Sequence, residues 1–291
     1  MQVYIRPIVV AVALAWFALP APVARAWGLD VHRRITERAL DGLPIEIRAF
    51  FNEQRAFMIE RSVDPDLWRI ADLRGMLGDE PPNHFLDIDD LGEPPPFTNV
   101  PREWEAFVKR YGVKEANSAG RLPWRTEEIY KLLVAALRDT ASGRSQYAAS
   151  NARYLGAILA HYVEDGFVPF HAVRNYDGQL TGQRGLHSRF ETALVLDHWT
   201  SFALRPVVVK AIPDIRAFMF ETLVESAALT PAVLEADLKA AGPDKVYDAK
   251  YYEQFRAGAG AIAEKRMNDS VDAVVSVITA AWREAGSPAL P

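Results

Sequence analysis

Residues 151–171, NARYLGAILAHYVEDGFVPFH, contain the pattern that decides the fold class. Apolar residues recur at helical spacing from about Tyr147 to Glu164, and Gly166 and Pro169 then end the predicted helix. The same spacing continues through most of the chain. Strand-like alternation is scarce, and Val207–Val209 alone does not predict a sheet. We therefore predict an all-α fold, a single compact domain of several packed helices.

Further helices are predicted on both sides of this stretch. Asp30 is in position to cap the first of them, and Gly42 and Pro44 are in position to end it. Two proline clusters, Pro81-Pro82 and Pro94–Pro96, bracket an irregular segment. The predicted helices are Val31–Leu40, Ile45–Arg61, Trp104–Tyr111, a stretch around Ile129–Leu137, Gly185–His198, Ile215–Leu229 and Tyr251–Trp282.

The first 26 residues have the layout of a cleavable secretory signal peptide. An apolar run from Ile8 to Leu19 follows Arg6, and Ala24-Arg25-Ala26 supplies small residues before a cleavage point. The run is shorter than the roughly 20 residues of a membrane-spanning helix, so we expect no stable membrane anchor. Cleavage would leave a domain over residues 27–291, and the loss of two arginines would change the formal charge from −5 to −7.

Composition narrows the chemistry available to this domain. The 291 residues are 49% hydrophobic, which is enough to bury a large core. The chain has no cysteine, which excludes disulfides, iron–sulfur clusters and thiol catalysis. An exported chain without cysteine is typical of a bacterial periplasmic or secreted protein. The formal charge of −5 gives no electrostatic reason to expect a nucleic-acid coat. Metal chemistry would depend on six histidines and on carboxylates.

Two histidines are followed by an acid four residues later. His161 precedes Asp165 and His187 precedes Glu191, so each pair shares one helix face and can hold a cation. This spacing also occurs in ordinary structural hydrogen bonds, and the motif alone is weak. His171 follows Asp165 across a turn containing glycine and proline, which can return it to the first pair.

The other candidate ligands lie nearer the N-terminus. His84 lies in the proline-bracketed segment beside three aspartates, and His32 lies in the first predicted helix. Signal cleavage would make Trp27 the first residue, and a free α-amine with its own carbonyl can chelate a metal. From composition alone, we favour the interpretation that Trp27 only packs against the rest of the protein and that His32 faces solvent.

In chain order, these residues resemble the zinc-dependent phospholipase C and S1/P1 nuclease superfamily. That family is all-helical and secreted, and its N-terminal tryptophan binds zinc through its amine and carbonyl. The resemblance spans most of the mature chain. It rests on Trp27-Gly28, His32, His84-Phe85, His161-x3-Asp165-x5-His171 and His187-x3-Glu191.

The resemblance implies a site with three zinc ions. His198 has no counterpart in the family, and we expect an ordinary histidine at a helix end. The implied ligands are His84, His161 and Asp165 for the first zinc, His171, His187 and Glu191 for the second, and the Trp27 backbone and His32 for the third, with Asp165 bridging the first and third.

The family also has an acid between its first two histidines, which serves as a ligand or as the base. Asp64, Asp66 and Asp72 are the candidates in this chain. We choose Asp66 because the sequence from Asp66 to Arg69 resembles the D-x-x-R of the nuclease branch. Asp66 lies somewhat farther from His84 than the family spacing suggests.

The resemblance implies an enzyme, a zinc-dependent hydrolase of phosphate esters. Zinc lowers the pKa of its bound water to about 7, which makes hydroxide available at neutral pH. The implied mechanism directs this hydroxide at phosphorus, and Asp66 orients or deprotonates the attacking water.

The substrate is less well determined than the chemistry. The Trp27–His32 spacing and the D-x-x-R sequence are nuclease-like, whereas Glu191, the short interval from His171 to His187 and the acids after His84-Phe85 are phospholipase-like. We favour a phospholipase C-like enzyme acting at a phospholipid head group. The first alternative is an S1/P1-type nuclease acting on single-stranded DNA or RNA. The second is a catalytically inactive, secreted zinc-binding helical protein. No protein partner is predicted.

Overall fold

The computed structural model describes residues 28–71, 80–92 and 97–291. These residues are mostly helical, contain no β-strand and form a single compact domain. The prediction of an all-α, single-domain fold is therefore confirmed for the described residues. The phospholipase C/P1 nuclease type of architecture stays a prediction. The predicted signal peptide and Trp27 lie outside the described residues.

Helices of very different lengths follow one another along the chain. Short 3₁₀ turns lie between them at Pro81–His84, Ile88–Asp90, Pro169–His171 and Trp199–Ser201, and a π-helix covers Arg189–Leu194. The α-helices of the described residues are α1 (Leu29–Gly42), α2 (Ile45–Asn52), α3 (Arg55–Arg61), α4 (Asp64–Ala71), α5 (Trp104–Tyr111), α6 (Val113–Ala119), α7 (Leu122–Ser142), α8 (Ala148–Asp165), α9 (Leu186–Ser188), α10 (Val195–His198), α11 (Ile215–Ala241) and α12 (Ala249–Glu284).

Helix α8 is the central element of the core. It packs against α7, α12, α3 and α1, and every residue from Gly156 to Asp165 is buried. A helix that is buried on all sides is expected to be apolar all round. The polar residues His161, Glu164 and Asp165 in its last turns are therefore exceptions that need partners.

Two predictions for the N-terminal helices are wrong, and local contacts explain both. Asp30 does not cap α1, because the helix begins at Leu29, and its carboxylate pairs with Arg33 at 3.0 Å instead. The predicted helix Ile45–Arg61 is interrupted between α2 and α3. Asn52, the last residue of α2, donates to the Leu40 carbonyl at 3.0 Å, which fixes the interruption against α1.

Helix α11 is longer than predicted because it continues through Pro231 to Ala241. The extension brings the buried Asp237 to Arg189, 2.9 Å away, and so fixes the π-helix that Arg189 begins. Within the described part of the chain, α11 is the one helix long and apolar enough to cross a membrane. Core helices pass the same test of length and composition, and 39% of its most apolar window is buried.

The apolar run Val207–Val209 forms no strand, which agrees with the prediction. It belongs to an extended segment that lies along α12. Backbone N–H groups of this segment donate to α12 side chains that are spaced four residues apart. The donors and acceptors are Ala203 to Glu264, Arg205 to Asn268, Val208 to Asp272 and Lys210 to Ser276.

Candidate metal centre

The C-terminal end of α8 supplies the middle of a buried cluster. His161 and Asp165 lie one turn apart and are both fully buried. The chain then turns through Gly166, whose carbonyl accepts from Ser226 at 2.7 Å, and reaches His171 in a short 3₁₀ turn. The glycine and proline between Asp165 and His171 therefore return the chain to the cluster, as the sequence predicts.

The first group of candidate ligands consists of His84, His161 and Asp165. Their ligand atoms lie within 4.8 Å of one another. One Asp165 oxygen, Oδ2, lies 2.9 Å from His84 Nδ1 and 3.4 Å from His161 Nε2. The two ring nitrogens are 3.2 Å apart. Two imidazoles and a carboxylate converging in this way form a donor set that suits Zn²⁺.

The second group consists of His171, His187 and Glu191, again with ligand atoms within 4.8 Å of one another. His187 lies on the short helix α9, and Glu191 lies on the π-helix that continues it. Their closest atoms, His187 Nε2 and Glu191 Oε2, are 2.8 Å apart. Single π-helical turns inside α-helices are frequent at functional sites, because they redirect a side chain. All three side chains are buried.

The third group brings His32 on α1 together with Asp66 on α4 and His161. The rings of His32 and His161 stack with centroids 4.1 Å apart. His32 Nε2 also lies 3.6 Å from Asp165 Oδ1, so Asp165 contacts this group as well as the first. The predicted backbone ligand Trp27 lies outside the described residues.

Asp66 belongs to one of the three groups, whereas Asp64 does not. Asp66 is fully buried and lies 2.7 Å from Arg69, the other end of the D-x-x-R sequence. Asp64 contacts Arg61 at 3.3 Å and belongs to none of the three groups. Asp72 lies outside the described residues. His198 ends α10, as predicted, and it is likewise absent from the three groups.

Three of the five clustered histidines have their second ring nitrogen hydrogen-bonded to the protein. A backbone carbonyl can only accept, so the rings bound to one must carry their proton on that nitrogen and present the other nitrogen to the cluster. Protein ligands to metals are oriented in this way by a carboxylate or carbonyl behind them. The pairs are His32 Nδ1 with Glu164 at 2.5 Å, His161 Nδ1 with the Ser62 carbonyl at 2.8 Å, and His171 Nδ1 with the His84 carbonyl. His84 Nε2 lies 3.4 Å from a Glu80 oxygen without a hydrogen bond between them.

Glu164 and Glu80 are functional candidates that the sequence reasoning missed. Thr36, one turn after His32 on α1, donates to Glu164 at 2.9 Å, so the carboxylate is held from two sides. Glu80 precedes His84 by four residues. A search for acids four residues before each histidine would have found Glu80, whereas Glu164 depends on how α1 approaches α8.

The electrostatics of the cluster fit bound cations. Burial raises the pKa values of Glu164, Asp165 and Glu191 well above their ordinary values, because it penalises the charged carboxylates. Burial likewise lowers the pKa of His187 to about 3, so this imidazole is neutral at physiological pH. Neutral imidazoles beside several carboxylates are the protonation states that divalent cations select.

Some polar atoms of the cluster have no hydrogen-bond partner among the described residues. They include His32 Nε2, Asp165 Oδ1 and Glu191 Oε1, and each belongs to a group of candidate ligands. Buried polar atoms nearly always have partners, and those that do not require an explanation such as an ion. The buried groups could therefore hold metal ions.

A cavity of about 360 Å³ gives access to the cluster through His84, His171 and His187. Phe85 and the half-exposed Tyr176 contribute aromatic surface to its wall. Such a volume fits one small polar group beside the candidate ligands. A larger groove, of about 800 Å³, runs along Trp104 and Trp124 and contains none of the predicted ligands.

No protein-family model matches the chain, and no curated protein matches it. The class of protein is therefore described from its fold and its buried site alone. It is a mostly helical protein whose buried histidine, aspartate and glutamate groups could hold metal ions.

Proposed function

We propose that the protein is a secreted, zinc-dependent hydrolase of phosphate esters with a trinuclear site. The observation that carries the proposal is the convergence of three histidine–carboxylate groups on one buried cluster beside a cavity. When bound, the cations would lower the pKa of water and neutralise phosphate oxygens. The donor set of nitrogen and oxygen atoms suits Zn²⁺, and a chain without cysteine offers no thiolate ligand.

The chain's own residues have distinct tasks in this proposal. Asp165 holds the first and third groups together, because its two oxygens contact ligands of both. Asp66 orients the attacking water or removes its proton, and Arg69 fixes the Asp66 carboxylate through their 2.7 Å ion pair. The cavity admits the phosphate ester beside His84, His171 and His187.

We favour a phospholipid head group as the substrate. A cavity of about 360 Å³ fits one head group, and the aspartates that follow His84-Phe85 make its surroundings unfavourable for a polyanion. A nuclease acting on single-stranded DNA or RNA is the second candidate. It is favoured by the ion pair between Asp66 and Arg69, which connects the two ends of the D-x-x-R sequence.

The test gives the zinc-loaded protein four substrates, namely phosphatidylcholine, single-stranded DNA, RNA and a small phosphodiester. Asp165→Asn and His161→Ala should lose all hydrolysis, and His198→Ala should retain it, since His198 lies outside the three groups. Cleavage of nucleic acid without lipid turnover would replace the phospholipase proposal with the nuclease. Retained turnover in Asp165→Asn would refute the zinc-dependent mechanism, and no turnover of any substrate by the wild type would refute the hydrolase itself.

The role of the N-terminus is tested separately. A variant with extra residues before Trp27 should bind one zinc ion fewer than the protein that begins at Trp27. Metal analysis of the two purified forms measures this difference. Equal zinc content would refute the backbone ligand and leave the other two groups unaffected.

A further inference from the structure

Asp87 lies in the wall of the cavity that leads to the cluster, together with His84, His171 and His187. The backbone around it is fixed, because Asp87 N–H donates to the Ala119 carbonyl at 2.8 Å and Leu86 N–H donates to the His171 carbonyl at 2.9 Å. Asp87 thus occupies a defined position beside a candidate ligand, and none of the three ligand groups contains it.

The Asp87 carboxyl is half-buried and makes no hydrogen bond to the N–H groups of the 3₁₀ turn that follows it. The two acids of that turn, Asp89 and Asp90, and Arg174 from the segment after His171 are the charges that act on it. Arg174 is engaged elsewhere, since its guanidinium pairs with Asp90 at 3.3 Å.

We propose that Asp87 is the catalytic acid that protonates the leaving oxygen of the phosphate ester. This role rests on the proposed hydrolase function. As water oxygen bonds to phosphorus, the bond from phosphorus to the ester oxygen breaks, and the Asp87 carboxyl gives its proton to that oxygen. The products are an alcohol and a phosphate monoester. Solvent then reprotonates the Asp87 carboxylate, and the proton of the attacking water passes to Asp66 and on to solvent.

The electrostatics support a protonated carboxyl at this position. Burial, with the negative charges of Asp89 and Asp90, raises the pKa of Asp87 to about 7, while Arg174 opposes the shift. A general acid works best when its pKa lies near the working pH, because enough of it is then protonated and the proton is still given up readily. Arg69, Tyr176 and three histidines complete the charged and titratable groups of the same cavity.

The experiment compares two phosphodiesters that differ only in the leaving group, an alkyl alcohol in one and p-nitrophenol in the other. An alkoxide is a strong base and needs a proton as it leaves, whereas p-nitrophenolate does not. Asp87→Asn should therefore lower kcat/KM about 100-fold or more for the alkyl ester. It should leave p-nitrophenyl ester hydrolysis within a few-fold of the wild type.

The pH profile and a matched variant give independent readouts. For the alkyl ester, wild-type kcat/KM should fall as pH rises through the pKa of Asp87, and this fall should vanish in Asp87→Asn. Asp90→Asn changes an exposed acid of the adjacent turn. This variant should still hydrolyse the two esters with the same difference in kcat/KM. Its kcat/KM for the alkyl ester should fall at a lower pH than in the wild type, because the negative charge that raises the pKa of Asp87 is removed.

Zinc content and melting temperature should be the same in Asp87→Asn and the wild type. An equal loss on both esters, a loss on neither, or a lowered zinc content would overturn the assignment of the acid. If the wild type cleaved neither ester, the proposed hydrolase would fail first, and the Asp87 role would fail with it.

Discussion

Removal of bound cations is the perturbation to which the buried cluster should respond most strongly. Glu164, Asp165 and Glu191 are all fully buried, and Arg69 is a cationic side chain whose charge acts on Asp165 and Glu191. Without cations, these carboxyls must hold protons or remain charged in a low-dielectric interior, and both options cost stability. A chelator should therefore lower the melting temperature.

The magnitude follows from ligand linkage. A cation present at about 1,000 times its dissociation constant stabilises the folded state by about 4.1 kcal/mol per site. In domains of about 150–250 residues, each kcal/mol shifts the melting temperature by about 2–4 °C. Loss of a single site should thus lower the melting temperature by about 8–16 °C. Three groups of candidate ligands make this the lower bound for complete removal.

Scanning calorimetry at pH 7.5, before and after chelation and again after zinc is restored, measures the shift. His161→Ala removes a residue common to two groups, so its response to chelation should be much smaller. His198→Ala serves as the control and should respond as the wild type does. A shift below about 2 °C, with metal analysis showing that the chelator had emptied the protein, would refute the cation-dependent cluster.

Three further predictions concern the same cluster and its supports. Glu164→Gln should weaken zinc binding about 10–100-fold in a competition with a chromophoric chelator, because the acid behind His32 loses its charge; an unchanged affinity would contradict this. The zinc-dependent shift in melting temperature should be smaller at pH 5 than at pH 7.5. Burial raises the pKa values of Asp165 and Glu191 in the metal-free fold, so that protons stabilise this form at low pH and compete with zinc; a shift independent of pH would exclude such competition. Asp237→Ala leaves the guanidinium of Arg189 without its carboxylate partner. The free energy of unfolding, measured in guanidinium chloride, should fall by about 3–5 kcal/mol, and a loss below about 1 kcal/mol would show that the pair is dispensable.

Helical periodicity located the elements well where burial of one apolar stripe decides the structure. Helix α5 has the predicted bounds, and α8 differs from its prediction by one residue at each end. The prediction was wrong at the break between α2 and α3, where Asn52 contacts the carbonyl of Leu40 on another helix. It stopped α11 too early, because only the fold shows that Asp237 meets Arg189. Periodicity contains no information about such contacts between distant residues.

In the candidate site too, the sequence indicates the residues that are close along the chain but not the contacts between distant elements. Spacing on a single helix indicates that His161 and Asp165 act together, and the glycine–proline turn indicates that His171 returns to them. Their grouping with His84 and His32 came from the resemblance. The structure supplies the contacts behind the rings, such as the Ser62 carbonyl on His161, which form between elements about 100 residues apart. A backbone carbonyl is the same in every residue, so the sequence gives no sign of it.

His32 shows how two adjacent residues of one helix can orient a single ring. Glu164 and Asp165 are consecutive on α8, and they contact opposite nitrogens of the imidazole, Nδ1 at 2.5 Å and Nε2 at 3.6 Å. Consecutive helical side chains diverge by about 100°, so the ring must lie between them, with its plane fixed by both. The beginning of α1 is fixed as well, because Gly28 lies so close to Thr192 on the π-helix that a Cβ atom there would clash. The first helix is thus tied at His32 to the end of α8 and at Gly28 to the π-helix that carries Glu191. Separate stretches of the chain therefore position one another's candidate ligands.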